Sequence, residues 1–93
     1  MMRMIDRSTA FKRDFKRESK GQYRKTLDED LKPVLVSLIS DIKLDPKYKD
    51  HDLVGPWAGY RECHIKPDLL LIYSKPSEDI LRLARLGSHS ELF

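Results

Sequence analysis

Only one cysteine, Cys63, occurs among the 93 residues, so a chain-internal disulfide, a paired-thiol redox centre and a thiolate metal cluster are all excluded. Cys63 itself reads as a packed small side chain, since free cysteine is among the most buried residue types. No run of 18 or more apolar residues is present, which removes a membrane span, and no cationic start leads into an apolar stretch of the kind a secretory signal needs. The location expected is the cytoplasm, with no membrane partner. Internal repeats and low-complexity segments are also missing. Glycine and proline concentrate between Leu44 and Gly59, where Pro46, Gly55, Pro56 and Gly59 exclude a long regular element. A chain of this length forms one domain, 1–93, with a single layer of sheet covered by helices.

Charge is present in quantity and unevenly placed. Residues 1–25 carry nine Lys or Arg against three Asp or Glu, a balance of +6, whereas residues 26–93 carry nine against twelve, a balance of −3. A basic front attracts polyanions through counterion release, although a basic helix can equally be a solvated face.

Met2 to Asp6 could form a first edge strand. Ser8 is placed to cap a helix from Thr9 to about Lys20, with Gly21 as its stop. Its apolar stripe consists mainly of Phe11 and Phe15, and Lys12, Arg13, Lys16, Arg17 and Lys20 cover much of the remainder. Leu27, Leu31, Val34, Leu35, Leu38, Ile39 and Ile42 then follow the spacing of an amphipathic helix. Pro33 favours an ordered helix from about Leu31 to Ile42 with Asp30 as N-cap, because an earlier cap at Thr26 would leave Pro33 deeper inside. The following loop exposes Lys49 and His51 and tucks Leu53 and Trp57 inward.

Tyr60 to Tyr73 reads as two strands joined at Lys66-Pro67-Asp68, residue types that suit a tight reversal. Leu69 to Tyr73 is almost unbroken apolar sequence, as a strand buried on both faces requires. Ser74 to Asp79 makes a second turn, and Ile80 to Leu86 the third strand of an antiparallel meander. That order brings His64, Asp68 and Arg85 to one edge of the sheet, and His89 can fold back over it. The position of His51 does not follow from this geometry.

Three chemistries compete for such a cluster. A metal site from His51, His64, His89 and Asp68 is conceivable, but no HxH or HxxxH pair presents ligands from one element. Nucleophilic catalysis lacks a recognisable nucleophile setting. General acid–base chemistry fits best: imidazole, with an unperturbed pKa of about 6.5, can accept or donate a proton near neutrality, and Arg85 can offset charge on a transferring phosphoryl group. RNA is the substrate suggested, because its 2′-OH supplies an internal nucleophile and no metal or cofactor is required. The plainer reading is that His64 and Asp68 hydrogen-bond across a turn and His89 lies in a frayed tail.

The segment YKDHDLVGPWAGYRECHIKPDLLLIY, followed by LRLARLGSHSELF, resembles the YafQ branch of the RelE-type toxins of bacterial type II toxin–antitoxin pairs. The likeness covers about Tyr48 to Phe93; the first 45 residues match only in helical character. It implies an α+β fold, a small antiparallel sheet with the two N-terminal helices packed on one face. It also implies a ribosome-dependent mRNA endonuclease that cuts in the A site and is neutralised by a cognate antitoxin. Partners implied are mRNA, the ribosome with its rRNA, and the antitoxin, with DNA reached only indirectly through the toxin–antitoxin complex. Position by position, catalytic roles fall on His51, His64, Asp68, Arg85 and His89, and substrate binding on Phe93, Lys49 and Arg61. Relatives can carry an aromatic residue directly after the motif aspartate, where this chain has Leu69, so base stacking there is expected to be lost. The alternative reading is a non-enzymatic antitoxin-binding partner acting in transcriptional autoregulation.

Overall fold

Elements of the computed structural model, which describes residues 2–93, run β1 (Met4–Arg7), α1 (Thr9–Glu18), α2 (Leu27–Ile39), β2 (His51–Asp52), β3 (Arg61–Lys66), β4 (Leu69–Ser77), β5 (Ile80–Gly87) and α3 (His89–Leu92), with short 3-10 turns at Pro46–Tyr48 and Gly55–Trp57. The strands form one sheet in the order β1-β5-β4-β3-β2. Strands β3, β4 and β5 pair antiparallel in turn, as expected for short connections, and β2 pairs antiparallel with β3. The sheet is nevertheless mixed, because β1 lies parallel to β5. No hairpin joins those two strands, so no tight turn imposes an antiparallel pairing on them.

Central strand β4 divides its side chains between two cores. Leu69, Leu71 and Tyr73 join Phe11, Leu27, Leu31, Val34 and Leu38 on the helix side. Leu70 and Ile72 face the other way, where Ala84 and Leu92 are buried with them and Leu53, Trp57 and Tyr60 pack alongside. An uninterrupted apolar run is the sequence form of a strand with no solvated face, and Leu69 to Ile72 have no exposed surface. Leu69 therefore contributes packing to the helix-side core.

Ser8 caps α1 as expected, its hydroxyl accepting the Phe11 N–H at 2.9 Å. The inward face of that helix carries more than two rings, since Asp14 and Glu18 are buried beside Phe11. Helix α2 departs from its expected bounds. It begins at Leu27 with Thr26 at the N-cap, ends at Ile39, and contains Pro33. Burial of Leu27 and Leu31 anchors the first turn, while the carbonyl that Pro33 cannot serve belongs to Glu29, which is exposed and so open to water. The second turn is also shorter than expected: β4 runs on to Ser77, and only Glu78 and Asp79 reverse the chain.

Strand β1 covers only Ile80 to Leu83 of β5. Beyond it, the outer edge of β5 is met by polar groups of Ser8 and α1. Ser8 N–H donates to the Leu83 carbonyl at 3.0 Å and its hydroxyl to the Ala84 carbonyl at 2.7 Å. Leu86 N–H donates to Asp14 Oδ2 at 3.0 Å, and Arg17 Nη2 donates to the Leu86 carbonyl at 2.9 Å. A helix flank thus takes the place of a sixth strand and satisfies edge groups that would otherwise be left open.

Candidate active site

Register across the sheet sets out the site on the face away from α1 and α2. His51 on β2 pairs with Glu62 on β3, Glu62 with Ile72 on β4, and Ile72 with Arg85 on β5. Two residues further along, His64 pairs with Leu70 and Leu70 with Gly87. Opposed residues share a face, so the strand pairings alone place His51, Glu62 and His64 beside one another. His51, which sequence geometry could not place, is fixed there by the two-residue strand β2.

Glu62 is the residue that sequence reading missed. It is 5% exposed, and its Oε1 lies 3.4 Å from His64 Nε2 and 3.6 Å from His51 Nε2. The His51 ring also meets the Lys49 carbonyl through Nδ1 at 2.7 Å. A carbonyl only accepts, so Nδ1 carries the hydrogen. A hydrogen bond from Nε2 to Glu62 then requires the imidazolium form.

His89 reaches the cluster because the chain turns back at α3. Ser88 and Glu91 form a capping box at its start. Gly87 leaves the room for this turn: a Cβ there would stand 2.8 Å from Arg17 Nη2, 3.1 Å from Glu91 Oε1 and 3.2 Å from Leu92 Cδ2. Glu91 is also paired with Arg17 at 2.9 Å. Asp68, in the hairpin turn, accepts both the backbone N–H of His89 at 2.9 Å and its ring Nδ1–H at 2.7 Å. These two bonds hold the Asp68 carboxyl below its ordinary pKa, the backbone donor contributing most. With Nδ1 committed to the carboxylate, Nε2 of His89 is the nitrogen left for proton transfer. The His64 and His89 rings are 5.8 Å apart, and those of His51 and His64 are 6.3 Å apart.

Other expected residues stand in different settings. Arg85 pairs with Ile72, on the sheet face that carries the histidines, and its Nε and Nη2 meet Asp14 at the outer edge of β5 at 2.6 Å and 3.2 Å. Arg61 is enclosed by Asp50 and Asp52, and Tyr73 donates its hydroxyl to the same Asp50; this network ties β3 to the loop before it and holds Arg61 strongly protonated, with the Asp50 hydrogen bond as the largest cause. Phe93 is exposed, beyond the end of α3. Lys49 is exposed next to His51. Cys63 is fully buried, and burial raises its thiol pKa far from the reactive range.

One carboxylate and two imidazoles could also hold a divalent ion, since ligand atoms of Glu62, His64 and His89 all lie within 4.8 Å of one another. That donor set suits zinc or copper. It differs from the set conceivable from sequence, His51, His64, His89 and Asp68: Glu62 enters, Asp68 is occupied by His89, and His51 is not among the three.

A profile of the family described as "Bacterial toxin of type II toxin-antitoxin system, YafQ" matches residues 3–93. The mRNA interferase toxin YafQ of Escherichia coli strain K12 is 37% identical over 92 residues, covering 97% of this chain and 99% of the relative. A copper-bound mutant toxin from Helicobacter pylori has a similar crystal structure, with a TM-score of 0.85 and 40% identity and all of both chains covered. The crystal structure of the E. coli DinJ-YafQ toxin-antitoxin complex matches with a TM-score of 0.81 and 35% identity, covering 100% of this chain and 99% of that one.

Proposed function

The chain belongs to the YafQ family of bacterial type II toxins, and from that premise we propose that it is an mRNA interferase that cuts ribosome-bound message in the A site without a metal. One observation carries the reading: two imidazoles, their rings 5.8 Å apart, each meet a carboxylate, Glu62 at His64 and Asp68 at His89. This is the arrangement of a base and an acid that can work on opposite sides of one phosphate.

His64 takes the proton of the 2′-OH, and Glu62 stabilises the imidazolium that forms. The 2′ oxygen attacks the adjacent phosphorus, and the bond from phosphorus to the 5′ oxygen breaks. His89, held in its tautomer by Asp68, gives a proton to the leaving oxygen from Nε2. The products are a 2′,3′-cyclic phosphate and a 5′-OH. His51 shares Glu62 with His64 and orients it. Arg85 offsets the charge that develops on the phosphate, Phe93 stacks on a base, Lys49 contacts the backbone, and Arg61 holds the Lys49 loop in place for that contact.

For partners, the exposed cations of α1, Lys12, Arg13 and Lys16, and Lys20 in the turn after it, would face rRNA. Arg17 is engaged by Asp14, Glu18 and Glu91 and belongs to the protein itself. A relative is known in a toxin-antitoxin complex, and here an apolar cleft of about 690 Å³ opens between α1, α2 and β1, lined by Phe11, Phe15, Leu35 and Val36 with Arg7, Lys12 and Lys32 at its rim. Those cations fit an acidic, amphipathic segment of a cognate antitoxin. DNA is reached only through that complex.

Adding the purified protein to a translating extract and mapping new RNA ends by primer extension tests the activity. Cuts at in-frame codon positions that need ribosomes, survive chelator and vanish in His89→Gln are expected. A folded protein that makes no cuts would point instead to an antitoxin-binding regulator.

A further inference from the structure

We propose that Asp14, on α1, is the positioning residue for Arg85, holding its guanidinium so that one edge is presented to the scissile phosphate. This rests on the cleavage reading above. Asp14 has a side chain only 3% exposed and is engaged on both oxygens. Oδ2 accepts from Arg85 Nε at 2.6 Å and Leu86 N–H at 3.0 Å. Oδ1 accepts from Arg85 Nη2 at 3.2 Å and Arg17 Nη1 at 2.9 Å.

A guanidinium gripped through Nε and Nη2 offers its remaining nitrogen, Nη1, on the edge away from the carboxylate. An arginine held in this way is a fixed donor. One without Asp14 would be a long chain sampling many rotamers, and ordering it would have to occur during the reaction.

The backbone adds a second, independent sign. Ile72 pairs with Arg85 but Tyr73 pairs with Leu83, so Ala84 is an extra residue and β5 bulges immediately before Arg85. Bulges re-aim the side chains next to them. The Ser8 hydroxyl, on the carbonyl of Ala84, secures this one. Sealing the edge of β5 at Leu86 needs one acceptor, which a neutral side chain could supply. A buried carboxylate gathering two guanidiniums is more than that edge requires.

Cleavage in the same extract assay, with Asp14→Asn, Arg85→Ala, Arg85→Lys and the Asp14→Asn/Arg85→Ala pair, provides the test. Asparagine retains an acceptor for Leu86 N–H and loses the charge. Asp14→Asn, with its folded fraction checked by thermal melting, is expected to lose about tenfold to a hundredfold in kcat with KM little changed. The pair should be no worse than Arg85→Ala alone. Millimolar guanidinium ion should restore part of the activity of Arg85→Ala, by binding Asp14, and none to the pair. If Asp14→Asn does not fold, Arg85→Lys carries the test: an ammonium drawn to Asp14 has no second edge to offer and should be as slow as Arg85→Ala. Undiminished cleavage by folded Asp14→Asn, multiplying losses in the pair, equal rescue of both, or an active Arg85→Lys would each overturn the proposal. A wild-type protein that cuts no RNA would refute the cleavage reading itself, before any variant is compared.

Discussion

The backbone N–H and the ring Nδ1–H of His89 converge on one oxygen of Asp68, at 2.9 Å and 2.7 Å. Two donors from one residue fix both where α3 begins and how its first side chain is turned. The hairpin tip therefore sets the orientation of a histidine carried by a different element.

Replacing Asp68 with Asn removes the charge that stabilises His89 in its donating form while leaving a hydrogen-bond acceptor. Asp68→Asn is expected to lower cleavage by at least about tenfold, and His89→Gln by about 100-fold or more. Equal rates for Asp68→Asn and wild type in the extract assay would remove Asp68 from any role in orienting the acid.

Gly87→Ala tests how closely α3 must be seated. The new methyl would press on Arg17, Glu91 and Leu92, and the side chains that have to give are those that hold α3. Cleavage should fall by more than the change in thermal stability explains, with the amide resonances of His89 and Asp68 displaced in NMR spectra. Unmoved resonances together with full activity would contradict the seating described.

Zinc or copper ions should inhibit, because Glu62, His64 and His89 cannot both ligate an ion and move protons. Inhibition is expected to be reversed by chelator and weakened by Glu62→Gln. Loss of activity in chelator alone would instead make the ion part of the reaction.

Acid sensitivity should trace in part to Asp14. Burial by itself raises this carboxyl, but the hydrogen bonds from Arg85, Leu86 N–H and Arg17 outweigh burial and leave it below its ordinary value. A depressed carboxyl contributes stability above its unfolded pKa of about 3.9 and loses it as pH falls through the lower folded value. Urea unfolding should show wild type and Asp14→Asn furthest apart near neutrality, with the gap closing as pH falls below about 3.9. A gap of constant size would mean that Asp14 does not titrate with unfolding.

Val36→Glu puts a negative charge in the cleft between α1 and α2, at a position 44% exposed and so tolerant of change. Affinity for the antitoxin should fall at least about tenfold, a loss of about 1.4 kcal/mol, while cleavage is unchanged. Unaltered neutralisation would place the antitoxin elsewhere.

Much of this organisation could be read from the chain. Leu69 to Tyr73 announced a strand buried on both faces, Ser8 a cap, and Pro67-Asp68 a reversal, because each depends on local pattern. Strand order alone groups His64, Asp68 and Arg85, and the fold-back expected of His89 is seen in its two bonds to Asp68. Glu62 escaped notice because a glutamate within a strand reads as a solvent-facing residue, and only pairing to His51 shows that it is enclosed. Arg17 reads with the basic surface of α1 and Asp14 stands out from nothing around it, since nothing local says that the outer edge of β5 lies against them. Pro33 misled the start of α2 because a proline penalty is local, whereas the burial of Leu27 that outweighs it is tertiary. The sequence does carry a signal for α3: Ser88 with Glu91 three residues later is a capping box, which marks the tail as a helix and brings His89 inward.

Because β1 pairs with β5 and not with a neighbour in sequence, the opening strand has no hydrogen-bonding partner until four further strands have been synthesised. Contacts of such long sequence separation form late, and during translation the front of the chain waits for its complement. His89 comes later still. The cluster of His51, His64 and His89 is thus the last part of the fold that can be assembled, because His89 reaches His64 only once β5 lies beside β4.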